Sequence, residues 1–171
     1  MKEIDDCELC IRGEHLTRGE KVERGFLQVA LSGDVPKIAK TTSGRLELAD
    51  WIASPRHPLT ARVIVNRVWY HMIGEGIVRS VDNFGELGQR PTHPELLDHL
   101  AARFGNPKSE GGFAWSIKQL VREIALTRTY QIASDHNEAA WQADPENRLL
   151  WRAHRRRLPA EAIRDSMLAI S

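Results

Sequence analysis

The chain has 171 residues, enough for one domain with an appendage but cramped for two. Lys plus Arg number 24 and Asp plus Glu 23, a formal net charge of +1, which excludes a protein built to coat a polyanion. Hydrophobic residues make up 42% and charged residues 27%, which excludes a disordered chain, and no window approaches the ~18 apolar residues of a membrane span. Met1 to Asp6 contain no apolar run, so no signal peptide is expected in this chain.

Residues 1–42 lack helical periodicity. Cys7, Leu9 and Ile11 alternate with Glu8, Cys10 and Arg12, which predicts one short strand. The two cysteines form a CxxC. Ile11 rather than His follows it, so haem attachment is not signalled, and only His15 is near as a further metal ligand. In a strand, residues three apart face opposite ways, so two unpaired thiols are expected. Gly13, Gly19, Gly25, Gly33 and Pro36 then mark loops, around the short apolar run Phe26–Leu31, which reads as a strand or a half-turn.

From residue 43 the pattern turns helical. Ser43 is the expected N-cap of a helix reaching Ala53, which Pro55 ends. The strongest helix is expected over 59–73, where Ala61, Ile64, Val65, Val68, Trp69 and Met72 form a stripe and Gly74 follows as the stop. Residues 75–91 read as a Gly-rich loop. Thr92 and Glu95 have capping-box spacing for a helix over 93–104, and Ser116 with Gln119 for another over 117–126, with a loop between. Residues 128–143 are weakly patterned, with one helical turn near Ala139–Trp141. Asp144-Pro145 reads as a further helix start. The last helix carries Ala160, Ile163, Met167 and Ile170 on one stripe, with no stop signal after it, so a piece of a longer chain is expected. The expected fold is mainly α: an irregular helical array over residues 43–171, with a loop-rich N-terminal arm over 1–42 holding at most one short strand or hairpin.

Several ordered phrases carry a family likeness. They are Gly44-Arg45-Leu46-Glu47-Leu48-Ala49-Asp50-Trp51-Ile52 and Pro58-Leu59-Thr60-Ala61-Arg62-Val63-Ile64-Val65-Asn66-Arg67-Val68-Trp69, then Asp82-Asn83-Phe84-Gly85 and Pro91-Thr92-His93-Pro94-Glu95. Trp115-Ser116-Ile117-Lys118, Thr129-Tyr130, Asp144-Pro145-Glu146-Asn147-Arg148-Leu149-Leu150-Trp151, Arg155-Arg156-Arg157-Leu158 and Glu161-Ala162-Ile163-Arg164-Asp165 follow in order. The series, from about Ile11 onward, resembles the planctomycete-specific domain one family, a domain of unknown function. Pro159, where the family pattern is usually acidic, and Ile73, where it is usually aromatic, depart from it. The resemblance implies a module at the C-terminal end of large bacterial proteins that are commonly exported and usually also carry a cytochrome c domain. Haem c would then sit on another domain of the parent chain, no cofactor belongs to this part, and the parent's other domains are the expected partners.

Arg62, Asn66 and Tyr70 follow one another at i, i+4 and i+8 on the strongest helix, and Arg67 and His71 line the next strip. With Asp82, Asn83 and His93 in or beside the Gly-rich loop, they make a candidate cleft for a carbohydrate or an anionic ligand. The plainer reading is a solvated face, or a network holding the loop. No motif signals a nucleophile or a paired acid and base, so the leading functional reading is a non-catalytic packing or partner-binding module. The alternative is a hydrolase-type or carbohydrate-binding module. Glu95 and His99 share a helix face, but no HExxH is present and no metal site is assigned. Arg148, Arg152 and His154 to Arg157 form a basic stretch around Trp151. Internal pairing of Arg157 with Glu161, of Glu161 with Arg164, or with the acidic arm (Glu3, Asp5, Asp6, Glu8) is expected there rather than nucleic acid.

Overall fold

The computed structural model describes residues 4–30 and 37–171; Glu3, Leu31, Gly33 and Pro36 lie outside them. The described residues contain a two-stranded sheet and seven α-helices, the mainly α fold with an N-terminal hairpin that the periodicity predicts. Two compact units divide between Arg62 and Val63, inside a helix, whereas the sequence turns helical at residue 43. None of the described helices is long and apolar enough to cross a membrane.

In the first unit, β1 (Cys7–Cys10) pairs antiparallel with β2 (Arg18–Val22), with Cys7 opposite Val22 and an irregularity between Glu8 and Cys10. The extended run stops earlier than its alternation suggests. Residues 11–13 form a 3-10 turn in which Arg12 takes a left-handed φ of 53°. Both thiols are exposed and unpaired, as the strand reading requires. Asp5, Asp6 and Glu8 of the acidic arm find partners within the first unit. Lys21 meets Asp5 at 2.6 Å, Arg24 meets Asp6 at 2.7 Å, and Arg18 meets Glu8 at 3.1 Å. These bonds hold the Asp5 and Asp6 carboxyls below their ordinary range.

Helix α1 (Arg45–Ala53) follows. Its N-cap is Gly44 at φ 78°, one residue past the expected Ser43, whose hydroxyl accepts only a long 3.4 Å bond from the Arg45 amide. Trp51 lies edge-on to His57 at 4.5 Å between centroids and stands 5.3 Å from Phe26. His57 Nδ1 accepts the Thr60 amide at 3.1 Å and the Leu59 amide at 3.3 Å. An imidazole therefore caps α2 (Thr60–Ile73), doing what an Asn or Ser side chain ordinarily does.

In the second unit the core gathers Val65, Trp69 and Ile73 of α2, Ile77 and Val78 of the following loop, Leu97, Leu100, Ala101 and Phe104 of α3 (Pro94–Gly105), Phe113, and Leu120 and Ile124 of α4 (Ile117–Ala125). Full burial of such side chains is worth about 1.5–3 kcal/mol each before entropy is counted. The loop between α3 and α4 turns back along the end of α3. The amides of Phe113 and Trp115 bond to the carbonyls of Arg103 and Phe104, at 2.6 and 2.8 Å. Trp115 then sits edge-on to Phe104 at 5.2 Å.

The Ser116 cap forms as its spacing predicts, accepting from the Gln119 amide at 3.4 Å. The Thr92–Glu95 box does not form. The Thr92 hydroxyl donates instead to the Ile77 carbonyl at 3.2 Å, His93 occupies the N-cap position, and α3 runs through Gly105. Short helices α5 (Arg128–Gln131) and α6 (Glu138–Ala143) occupy the weakly patterned stretch. Asp144-Pro145 starts no helix. Asp144 ends α6, its carboxylate accepts the Leu149 amide at 2.7 Å, and Asn147 and Leu150 take left-handed φ values of 54° and 57° that interrupt helical propagation. Burial alone would raise the Asp144 carboxyl. The Leu149 and Arg148 amides, with the charges of Arg79 and Arg148, hold it below its ordinary value instead. Helix α7 (Ala160–Ile170) buries none of its residues, and its stripe of Ile163, Met167 and Ile170 stays exposed.

Burial holds the His57 imidazole below its ordinary pKa, so the fold favours the neutral ring that accepts two amides. The stabilisation is full above the unfolded value of about 6.5 and is lost as pH falls through the lower folded value. The first unit should therefore melt at lower temperature at pH 5 than at pH 7. A His57→Asn variant, which keeps an acceptor that does not titrate there, should remove that part of the difference. Equal pH dependence in the two chains would refute the assignment.

Candidate functional site

Asn66 decides the geometry on the exit side of α2. It lies seven residues before Ile73 and so shares the buried edge of the helix. Its amide is wholly buried, Nδ2 donating to the Val78 carbonyl at 2.9 Å and Oδ1 accepting the Val78 amide at 2.8 Å. The side chain thus pairs with one residue of the loop as a neighbouring strand would. The clamp leaves no room at Gly76, where a Cβ would stand 2.4 Å from the Val78 carbonyl oxygen and 2.9 Å from Asn66 Nδ2. One residue earlier in the loop, the Ile77 carbonyl accepts the Thr92 amide at 2.9 Å as well as its hydroxyl, and so fixes the start of α3.

With the loop held this way, Arg67, Tyr70 and His71 of α2 line an open groove with Arg79, Val81 and Asp82. Arg67 reaches the exposed Asp82 at 3.3 Å. Tyr70 is 42% exposed and lies edge-on to His71 at 5.3 Å. Arg79 is mostly covered and doubly paired, to Glu75 at 2.8 Å and to Glu146 at 2.9 Å, and it also donates to the Glu146 carbonyl. Both groove arginines therefore already face carboxylates.

Of the eight candidate residues, Arg67, Tyr70, His71 and Asp82 come together here. Asn66 faces the core. Asn83 folds on itself, its Oδ1 accepting the Gly85 amide at 3.0 Å and its carbonyl accepting the Ser80 hydroxyl at 2.8 Å. His93 stands at the start of α3 with Nδ1 2.9 Å from the Thr92 hydroxyl, and Arg62, in the first unit, donates to the Pro58 carbonyl. Arg79 and Val81 complete the groove without having been singled out in the sequence. The Glu75–Arg79 spacing was the only local signal for Arg79, and Glu146 stands 67 residues away from it.

The basic stretch does not pair as its spacing suggests. No ion pair joins Arg157 to Glu161 or Glu161 to Arg164 among the described residues, and Arg164 turns to its neighbour Asp165 at 3.4 Å. Arg156 donates instead to the carbonyls of His71 and Met72 at 2.7 and 2.9 Å, satisfying acceptors at the end of α2. Gly74, at φ 110°, permits that approach, since a Cβ there would lie 3.0 Å from Arg156 Cδ.

A family model described as PSD1, protein of unknown function (DUF1553), matches residues 44–171. No curated protein and no solved structure matches the chain.

Replacing Asn66 by Ala strands a buried amide and a buried carbonyl of Val78, at about 1–3 kcal/mol for each. We expect Asn66→Ala to destabilise the second unit by about 2–4 kcal/mol in urea unfolding and to speed amide exchange at Val78 and Thr92 before other core amides. Gly76→Ala should act in the same direction. Unchanged exchange at Val78 in both variants would disprove the clamp.

Proposed function

The chain belongs to this PSD1 family of unknown function, and we propose that it acts as a non-catalytic binding module that takes a hydroxyl-rich, carbohydrate-like ligand on the groove beside α2. The observation that carries this reading is the half-exposed Tyr70 ring set among ion pairs that are already closed. An aromatic face packs against the C–H side of a sugar ring. A paired Arg67 and Asp82 offer a fork of donors beside a carboxylate acceptor, a match for vicinal hydroxyls. Because Arg67 and Arg79 are compensated, the groove selects for polarity rather than for charge.

As the family resemblance implies, the module would work within a larger exported bacterial protein that bears a cytochrome c domain elsewhere. Ligand capture on this groove would hold the parent at a polysaccharide while other domains supply the chemistry. The hydrolase alternative would need a nucleophile or an acid and base pair acting on the bound ligand. The groove's carboxylate and both its arginines are engaged in the ion pairs described above, which leaves Tyr70 and His71 without a paired acid or base and supports binding over turnover.

The test is a titration of the intact chain with neutral oligosaccharides such as cellohexaose and mannohexaose, followed by amide chemical shifts. Binding should move the amides of Tyr70, His71 and Asp82 and weaken at least tenfold in Tyr70→Ala, a loss of about 1.4 kcal/mol. No shift at the groove with any neutral glycan would overturn the ligand class. Shortened glycan in the same samples would overturn the non-catalytic reading.

A further inference from the structure

We propose that the second unit carries a separate pocket for a small organic acid, a carboxylate joined to a compact apolar body, between the end of α2, α5 and the 150–156 segment. The pocket encloses about 260 Å³. Met72, Ile73, Tyr130 and Leu150 provide its apolar lining, and Arg152 and His154 are among its polar residues. Among the described residues no carboxylate lines it, in contrast to the groove, where each arginine has one.

Arg152 is the reason to expect an anion. Its backbone is held from two directions, its amide donating to Asn147 Oδ1 at 3.2 Å and its carbonyl accepting from Asn147 Nδ2 at 2.8 Å. Its guanidinium carbon lies over the Trp151 ring, 4.7 Å from the centroid, and the group has no carboxylate partner among the described residues. A guanidinium held against an indole face keeps its donor fork for a planar, bidentate acceptor such as a carboxylate. The indole beneath it is itself held, donating to the Asp144 carbonyl at 2.9 Å.

His154 adds a second donor. Asn147 Nδ2 lies 3.3 Å from His154 Nε2, and the same amide already donates to the Arg152 carbonyl. An amide nitrogen only donates, so in the neutral ring Nε2 accepts and Nδ1 is the donor. Arg156, spent on the α2 carbonyls, fixes the wall without competing for the ligand. A cation beside an apolar floor favours an acid with a hydrophobic body over an inorganic anion, because the body removes apolar surface from water while the charge is met.

The probe is phenylacetate, titrated into the full chain at constant ionic strength and followed by amide shifts. 2-Phenylethanol serves as its neutral counterpart and sodium sulfate as a bare anion. Phenylacetate should move Tyr130, Ala153 and His154 in a saturable way while leaving Asp82 unmoved, so this result stands apart from glycan binding at the groove. Both controls should bind at least tenfold more weakly. Arg152→Gln, which keeps the backbone bonds to Asn147, should weaken phenylacetate at least tenfold, and Tyr130→Ala should weaken it without touching the charge. Equal binding of 2-phenylethanol or of sulfate, undiminished binding in both variants, or no saturable shift would overturn the proposal.

Discussion

The second unit depends on one side-chain amide. Helix α2 is long and apolar along one face, but a helix alone cannot hold a Gly-rich loop in a single shape, because the loop's backbone groups need partners of their own. Asn66 supplies both kinds at once, a donor for the Val78 carbonyl and an acceptor for its amide. Burying an amide is costly unless it is satisfied, and here every polar atom of the side chain is used on the loop. The bond at Val78 sets Ile77, whose carbonyl takes two donors from Thr92, and Thr92 leads into α3. A single helix position thereby fixes the loop and the entry to the next helix. The groove beside α2 is the outer surface of that arrangement.

Compensation of charge separates the two surfaces of the second unit. At the groove, Arg67 faces Asp82 and Arg79 faces two glutamates, so a charged ligand would have to displace a pair already made. Exposed pairs of the Arg67–Asp82 kind contribute little to stability, which leaves their hydrogen-bonding groups open to exchange for a ligand's hydroxyls. Around Arg152 the balance differs. Its guanidinium lies over an indole face, which carries no full negative charge. The same residue type thus stands in opposite electrostatic settings at two places in one unit, and the difference lies wholly in its neighbours.

The helices were legible because their signal is local. The stripe of α2 and the Ser116 cap are written within one or two turns, and both appear where the spacing puts them. Position 66 shows where that reading stops. By i, i+4 spacing Asn66 joins Arg62 and Tyr70 as part of a polar face, yet it also lies seven residues from Ile73, at the edge of the apolar stripe. A polar residue at such an edge can face either way, and the choice was made by Val78, in a loop with no periodicity to read. The same holds for Thr92, whose hydroxyl had a cap nearby but found a carbonyl across the unit, and for Asp144-Pro145, where the turn at Asn147 outweighed a good helix-start dipeptide. The groove was partly legible: Arg67, Tyr70 and His71 share neighbouring strips of α2 and Asp82 stands out in the loop, whereas Arg79 and Val81 join them only through the loop shape that Asn66 sets.

The basic stretch shows why charge read along a sequence says little about charge in space. Arg156 spends its guanidinium on the open carbonyls at the end of α2, positions 84 and 85 residues earlier, where the helix dipole gathers partial negative charge. That contact asks for a glycine at position 74, because any side chain there would press on Arg156 Cδ and His154 Cβ. Once Arg156 is fixed, the 151–156 segment lies against the end of α2, and Arg152 is carried to the rim of a pocket rather than into solvent. The run of arginines therefore divides by role. One closes a helix, one stacks on an indole beside an apolar hollow, and Arg157 has no ionic partner among the described residues. A uniform basic patch would favour any polyanion, whereas this division leaves one oriented guanidinium, which suits a ligand with one carboxylate.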